Sequence, residues 1–411
     1  MEHYLQQVKS SSRILLSISS QERNRILREM AEALRLNATD ILNANTSDMK
    51  RADEENLPLA LKERLMLDKK RIEAMAIAVE EIAALKDPVG RIIDGWVSEA
   101  GLKIEKVSVP IGVIGIIYES RPNVTTDAAA LCFKSSNGCV LKGGKEAESS
   151  NTVIMQVLQE VLARNSLPKE LIALLPDSTR EGVAKFIQMD QYIDLIIPRG
   201  GETLIQFVSK NATMPVIKHD KGQCHLYVDK DANILEAITI AINAKVQRPS
   251  ACNSIETLLI DKEIAKEVLP IFKNRFEENQ TILKGCRLTR EIVYVAEATE
   301  IDFNTEYSDN ILSICIVDGV HGAIHHITKF GSGHSESIIT ENITTAEIFM
   351  NEIDASSVYV NASTRFTDGG MFGFGAEVGI STSKLHARGP MGIEGLTTYK
   401  YKVYGRGQIR Q

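Results

Sequence analysis

Residues Gly112–Lys142 read GVIGIIYESRPNVTTDAAALCFKSSNGCVLK. An apolar run, GVIGIIY, gives way to a turn with Arg121 and Pro122, then to the helical stretch DAAALCFKSS, then to a second short apolar run, CVLK. Strand, helix and strand in roughly thirty residues make a crossover unit. The alternation continues through SSNTVIMQVLQEVLAR, LIALL, REGVAKFIQ, IDLIIP and ETLIQFVSK, the pattern of a parallel sheet with crossover helices. A second alternating region follows Cys252, through SIETLLID, KEIAKEVLPIFKNRF, ILSICIVD and TAEIFMNEI to SSVYVNAS. The expected class is α/β with two domains, and the Cys252 loop falls near their junction.

Upstream of this core, Ser19 and Glu22 have capping-box spacing, and Ile26, Leu27, Met30, Ala33 and Leu34 recur on one helical face. A second helical stretch is predicted over Leu59–Leu85. Residues Trp96–Val109 alternate apolar and polar around a glycine and read as a hairpin. The tail, LTTYKYKVYGRGQIRQ, alternates again and suits pairing with that hairpin or with another subunit. An isolated two-stranded arm is marginal in water, so it needs something to pack on.

The 411 residues are 44% hydrophobic and 25% charged with a formal net charge of -7, which gives no electrostatic footprint for nucleic acid. No apolar run approaches the roughly 18 residues of a membrane span. The N-terminal residues lack the features of a secretory signal, and a cytoplasmic location is expected. Six cysteines without Cys-x-x-Cys or zinc-like spacing point to reduced thiols, with no metal site. Cys132, Cys139 and Cys315 read as small core residues, and Cys286 has no distinctive context. Cys252 differs: it stands between a turn-forming Arg-Pro-Ser and an apolar run, in QRPSACNSIETLL.

Two strand-to-helix turns carry paired glycines, VLKGGKEAE and LIIPRGGETL. Such turns let a backbone approach a ligand closely and present helix N–H groups to an anion, although a structural tight turn explains either one equally well. Basic residues gather near them and near Cys252: Arg121, Lys142, Lys145, Arg199, Lys218 and Arg248. Several at strand ends suit an anionic ligand, because open α/β sheets bind at the carboxyl ends of their strands.

Six stretches, PIGVIGIIYESRPNVT, VLKGGKEA, KHDKGQCHLYVD, RPSACNSIETLL, KFGSGHSESI and the long run beginning VNASTRFTDGGMFGFGAEVG, together resemble the γ-glutamyl phosphate reductases. These form the proline-biosynthetic branch of the aldehyde dehydrogenase superfamily, and the likeness covers nearly the whole chain. It implies a Rossmann-type cofactor domain (1–95 and 110–228), an α/β catalytic domain (229–385) and an oligomerisation arm (96–109 and 386–411). The implied activity is NADPH-dependent reduction of L-glutamyl 5-phosphate to L-glutamate 5-semialdehyde with release of phosphate.

The resemblance makes Cys252 the nucleophile and Glu306 the residue that holds the nicotinamide ribose. Gly200 and Gly201 fall in the pyrophosphate and nicotinamide loop. Lys142 matches the lysine of the superfamily, and Lys145, three positions on, stands where NAD-using relatives have a carboxylate, which favours a 2′-phosphate. The family's second oxyanion donor is a side-chain amide; ungapped counting puts Arg121 there with Asn123 two residues on, which leaves the donor open between the two positions, with Asn123 the candidate catalytic residue. Arg121, Lys218, Arg248 and Arg365 are expected to hold the substrate's anionic groups. Hydrolytic relatives carry Glu-Leu-Gly-Gly where this chain has His219-Asp220-Lys221-Gly222, so the base that would activate water is missing. His334, in GSGHSES, is expected to make a structural hydrogen bond.

Two other readings compete: a hydrolytic aldehyde dehydrogenase, against which the missing glutamate argues, and a non-catalytic scaffold, which predicts no thiol chemistry at Cys252. Cys224 is the rival thiol. A homo-oligomer, dimer or tetramer, and transient contact with the glutamate 5-kinase that makes the labile substrate complete the expected partners.

Overall fold

The computed structural model describes residues 1–218 and 221–410. The chain forms two compact units: Met1–Lys218 with Gly373–Gly379 and Met391–Gln411, and His219–Phe372 with Ile380–Pro390. The division falls at Lys218 rather than after residue 228, because the strand Cys224–Val228 hydrogen-bonds to Ile255–Asp261 and Ser335–Ile339 and so belongs to the second unit. Residues 380–390 also join that unit, and only Met391 onward belongs with the arm.

The first unit is built on four parallel strands in the order Ile172–Leu174, Gly138–Lys142, Val113–Tyr118, Leu195–Arg199. Numbered along the chain this is 3-2-1-4, the order of the first four strands of a doubly wound sheet, with its switch point between Val113–Tyr118 and Leu195–Arg199. All six residues of Val113–Tyr118 are buried, as expected for a strand covered on both faces by helices. Three antiparallel strands, Ile92–Val97, Lys103–Pro110 and Thr397–Tyr404, form the arm. The hairpin begins at Ile92 rather than residue 96: a register shift between Ile92 and Asp94 breaks the period-two pattern there.

The predicted helix over Leu59–Leu85 is two helices, Leu59–Leu65 and Lys69–Ala84. Asp68 ends the continuity: it is extended and its side chain accepts from the Arg71 N–H as an N-cap. Ser19 caps as its spacing predicted, its Oγ accepting from the Glu22 N–H at 3.2 Å.

The second unit carries a seven-stranded sheet whose neighbours all pair in parallel: Ala296–Glu297, Ile282–Gly285, Ile311–Val317, Ile255–Asp261, Cys224–Val228, Ser335–Ile339, Ser357–Val360. One core face brings Leu226, Leu258 and Ile314 against Phe272 and Phe276, and the other gathers Tyr227, Leu259 and Phe349.

Candidate active site

Gly222, Cys252, Glu306 and His334 each lie shortly before a strand of the seven-stranded sheet. They therefore share its amino end, and the placement expected for the basic residues, at carboxyl strand ends, fails for Arg248 in the same loop as Cys252. It holds in the first unit, where Lys142, Arg199 and the two glycine pairs sit at or just beyond the carboxyl ends of Gly138–Lys142 and Leu195–Arg199.

Cys252 is half-buried in a loop between the helix Ile234–Val246 and the strand Ile255–Asp261. Its carbonyl is gripped from beneath: the Cys224 thiol donates to it at 3.2 Å. Gly222 presses against the same peptide, since a Cβ on it would lie 1.8 Å from the Cys252 oxygen. Asn253 pins the loop sideways, its Nδ2 donating to the Thr367 carbonyl at 2.8 Å while the Thr364 hydroxyl donates to the Asn253 carbonyl at 2.6 Å. The segment after Val360 runs back along the sheet to reach that position, with Ser337 Oγ donating to Ala362 and Thr367 Oγ1 meeting Ser335 Oγ.

The two thiols have opposite surroundings. Cys224 is fully buried, and desolvation pushes its pKa well above the usual thiol range, which keeps it protonated and unreactive. Its sulfur also lies 3.7 Å from Nδ1 of the buried His334, and that nitrogen meets Ser335 Oγ at 2.8 Å. His334 is thus part of the scaffolding under the Cys252 loop, in a structural hydrogen-bond network. Cys286 acquires a context that sequence did not give it: contact with the Cys315 thiol lowers its pKa to about 5. Cys132 and Cys139 are buried, but Cys315 is only partly so.

Around Cys252 the structure gathers two of the expected cations. The Arg365 guanidinium donates through Nε to Gln247 at 2.7 Å. Burial lowers its pKa most, with the Arg248 charge acting in the same direction and the Cys252 sulfur opposing it, and Asn253, next to Cys252, donates to the Arg365 carbonyl at 3.4 Å. Glu306 lies partly buried in the 304–310 loop before Ile311–Val317. Lys218 is exposed at the end of the first unit. His219 and Asp220, where the water-activating glutamate of relatives would stand, lie outside the described residues.

In the first unit, Lys142, Gly143, Gly144, Lys145, Leu174 and Pro176 line a pocket of about 220 Å³. Lys142 reaches it from its strand end, its pKa lowered by burial. Gly143 has no room for a side chain, since a Cβ would meet Asn151 Nδ2 at 2.1 Å. Lys145 is exposed and bonded to Glu55 at 2.9 Å, a partner the sequence did not suggest. At the switch point, Gly201 opens the helix Glu202–Asn211, and its N–H donates to the Glu119 carboxylate at 3.0 Å. Asn123 Nδ2 donates to Asp127 at 3.1 Å near the start of the helix Pro122–Lys134, with Arg121 as its N-cap residue.

The sequence model of the Aldehyde dehydrogenase family matches residues 2–286. A γ-glutamyl phosphate reductase of Sulfurovum sp. is 69% identical over 410 residues, covering 100% of both chains. That of Sulfurimonas denitrificans is 67% identical, with the same coverage. The crystal structure of γ-glutamyl phosphate reductase from Thermotoga maritima superposes with a TM-score of 0.98 at 46% identity, covering 100% of this chain and 99% of that one. The chain therefore belongs to the aldehyde dehydrogenase family and, within it, to the γ-glutamyl phosphate reductases. It is an oxidoreductase of a family that uses nicotinamide cofactors. Among the described residues, no group of three or more His, Cys, Asp or Glu could hold a metal ion, and no helix is long and apolar enough to cross a membrane.

Proposed function

We propose that this chain catalyses the reduction of L-glutamyl 5-phosphate to L-glutamate 5-semialdehyde, in the cytoplasm, as a step of proline biosynthesis. The observation that carries the reading is Cys252, a half-buried thiol on an underpinned loop that also carries Arg248 and that Asn253 ties to the Arg365 main chain. An acyl phosphate brings two demands, a nucleophile for its carbonyl and cations for its phosphate, and these three residues meet both.

The Cys252 sulfur attacks the acyl carbon; a C–S bond forms and the C–O bond to phosphate breaks. Arg248 and Arg365 stabilise the departing phosphate. The oxyanion is held by the Cys252 main-chain N–H and a second donor, for which Asn123 is the choice and Arg121 the neighbour. The nicotinamide cofactor, when bound, supplies the hydride that reduces the thioester carbon. Collapse of the resulting hemithioacetal breaks the C–S bond, releases the aldehyde and returns the thiolate.

For the cofactor, the pocket beside Lys142 and Lys145 suits the adenosine end, and the cation at Lys145 favours NADPH over NADH. Gly200, Gly201 and Glu306 are assigned to the pyrophosphate and nicotinamide ribose, and Arg121 and Lys218 to the glutamyl end. The arm supports self-association, and transient contact with glutamate 5-kinase would shelter the labile substrate.

The test runs the reaction in reverse with semialdehyde and NADP⁺. Oxidation should require inorganic phosphate and vanish in Cys252→Ala. Oxidation to the free acid in phosphate-free buffer would overturn the reading and restore the hydrolytic alternative.

A further inference from the structure

The loop bearing Cys252 is closed at its base by an ion pair withdrawn from water. Lys245, in the last turn of the helix Ile234–Val246, and Glu256, second residue of the strand Ile255–Asp261, flank residues 247–254. Their Nζ and Oε2 atoms are 2.7 Å apart, and the side chains are 0% and 1% exposed. Ser254 adds a second fastening, its hydroxyl donating to the Lys245 carbonyl at 3.3 Å. Apolar residues of the same volume commonly stabilise a core as well as a buried ion pair does, so stability alone gives weak reason for charges here.

The other side of Glu256 faces the loop that carries Glu306. Strand pairing brings them side by side, because Thr257, next to Glu256, pairs with Ser313 in the strand that follows that loop. Burial and the Glu306 carboxylate oppose the charge of the Glu256 carboxyl, while Lys245 and the Ser308 main-chain N–H favour it. The second carboxylate oxygen, Oε1, is buried and finds no hydrogen-bond partner among the described residues. Ser308 is held at φ +51°, a left-handed conformation that costs a non-glycine residue free energy and needs surrounding structure to enforce it. Tyr307 anchors the same loop on its far side, its hydroxyl donating to Asp302 at 3.1 Å and meeting Ser313 Oγ at 2.9 Å.

We propose that the Lys245–Glu256 pair is a positioning device for the reaction: it fixes the base of the nucleophile loop and, through Glu256, the shape of the 306–309 segment. Neither residue touches the reacting atoms; each acts through what it holds. The inference rests on the reading of Glu306 as the residue that holds the nicotinamide ribose.

Two variants of the full chain test it, a double Lys245→Met/Glu256→Leu replacement, which removes both charges together, and Glu256→Gln. Phosphate-dependent oxidation of semialdehyde gives kcat and the cofactor KM, iodoacetamide gives the alkylation rate of Cys252, and a melt reports folding. The expected result is a folded double variant with kcat lowered about a hundredfold, because a small misplacement is that costly. Its cofactor KM should rise and Cys252 alkylation should change. Kinetics within about twofold of native in a folded variant overturn the proposal, since a purely structural pair would move only the melting temperature. If the double variant does not fold, Glu256→Gln decides by the same criteria. Glu306→Gln separates the two failures. If it leaves the cofactor KM unchanged, the role of Glu306 falls and the proposal with it; if it raises KM while the pair variants behave as native, the proposal alone falls.

Discussion

The thiol of Cys224 donates to the main-chain carbonyl of Cys252 across 3.2 Å, so one buried sulfur supports the peptide that carries the other. Because burial raises the Cys224 pKa, it should resist iodoacetamide in the folded enzyme. Cys224→Ala removes the donor and leaves a small cavity, for about 1–3 kcal/mol of stability, and lets the loop shift. Activity should fall while alkylation still maps to Cys252. Loss of the Cys252 adduct in Cys224→Ser, which keeps a donor, would reverse the assignment.

Gly222 admits no other residue. A methyl group at that position would overlap the Cys252 carbonyl and force the loop away. Gly222→Ala should cost about 3 kcal/mol and abolish activity, read by melting and by the reverse assay. Native kinetics in this variant would mean that the loop has a second functional arrangement.

The Lys145–Glu55 pair sets a prediction about cofactor choice. Lys145 is the cation proposed for the 2′-phosphate, yet it already has a carboxylate partner at 2.9 Å. Binding NADPH must compete with Glu55, so Glu55→Gln should lower the NADPH KM by a few fold and leave that for NADH unchanged. Lys145→Glu should shift preference toward NADH. Both effects should weaken in high salt, because the site is exposed.

Cys286 supplies a pH signature. Its pKa is lowered to about 5, chiefly by the Cys315 thiol, so its thiolate persists at pH values where an ordinary thiol is protonated. Its alkylation should stay nearly flat from neutral pH down to about pH 6 and fall only near 5. Cys315→Ala should return the midpoint toward the ordinary thiol value of 9.0. Mapping the Cys252 adduct is therefore cleanest in Cys286→Ser.

The α/β class was legible because Val113–Tyr118 and Ile255–Asp261 are buried throughout, so apolar runs mark them. The helix Ala38–Glu54 was not. It packs through Ile41, Asn45, Asp48 and Ala52, a face half polar, and apolar periodicity cannot see it. Asn45 accepts the Leu67 N–H and donates to the Leu65 carbonyl, both at 2.8 Å, while Asp48 accepts from the Ser149 and Ser150 N–H groups. The site divides similarly. Cys252 was marked by its own motif, whereas Cys224 and Glu55 matter through partners 28 and 90 residues away that spacing does not reveal.

The arm carries the last prediction. Ile92, Val97, Tyr401 and Val403 are 61%, 68%, 53% and 54% exposed, and Trp96 packs edge-on against Tyr401 with ring centroids 6.1 Å apart. A three-stranded sheet with so many exposed aromatic and branched side chains suits the self-association proposed for the arm. Its outer strands, Ile92–Val97 and Thr397–Tyr404, also leave edges open to further pairing. Light scattering should report a dimer or tetramer for the native chain. Placing charges on the face with Trp96→Glu and Tyr401→Glu should lower the mass to that of a monomer. Among the described residues the first unit's parallel sheet makes none of its ladder bonds with the arm, so the melting of that core should change little beyond what dissociation contributes. A native chain that is monomeric at high concentration would remove the arm's proposed role.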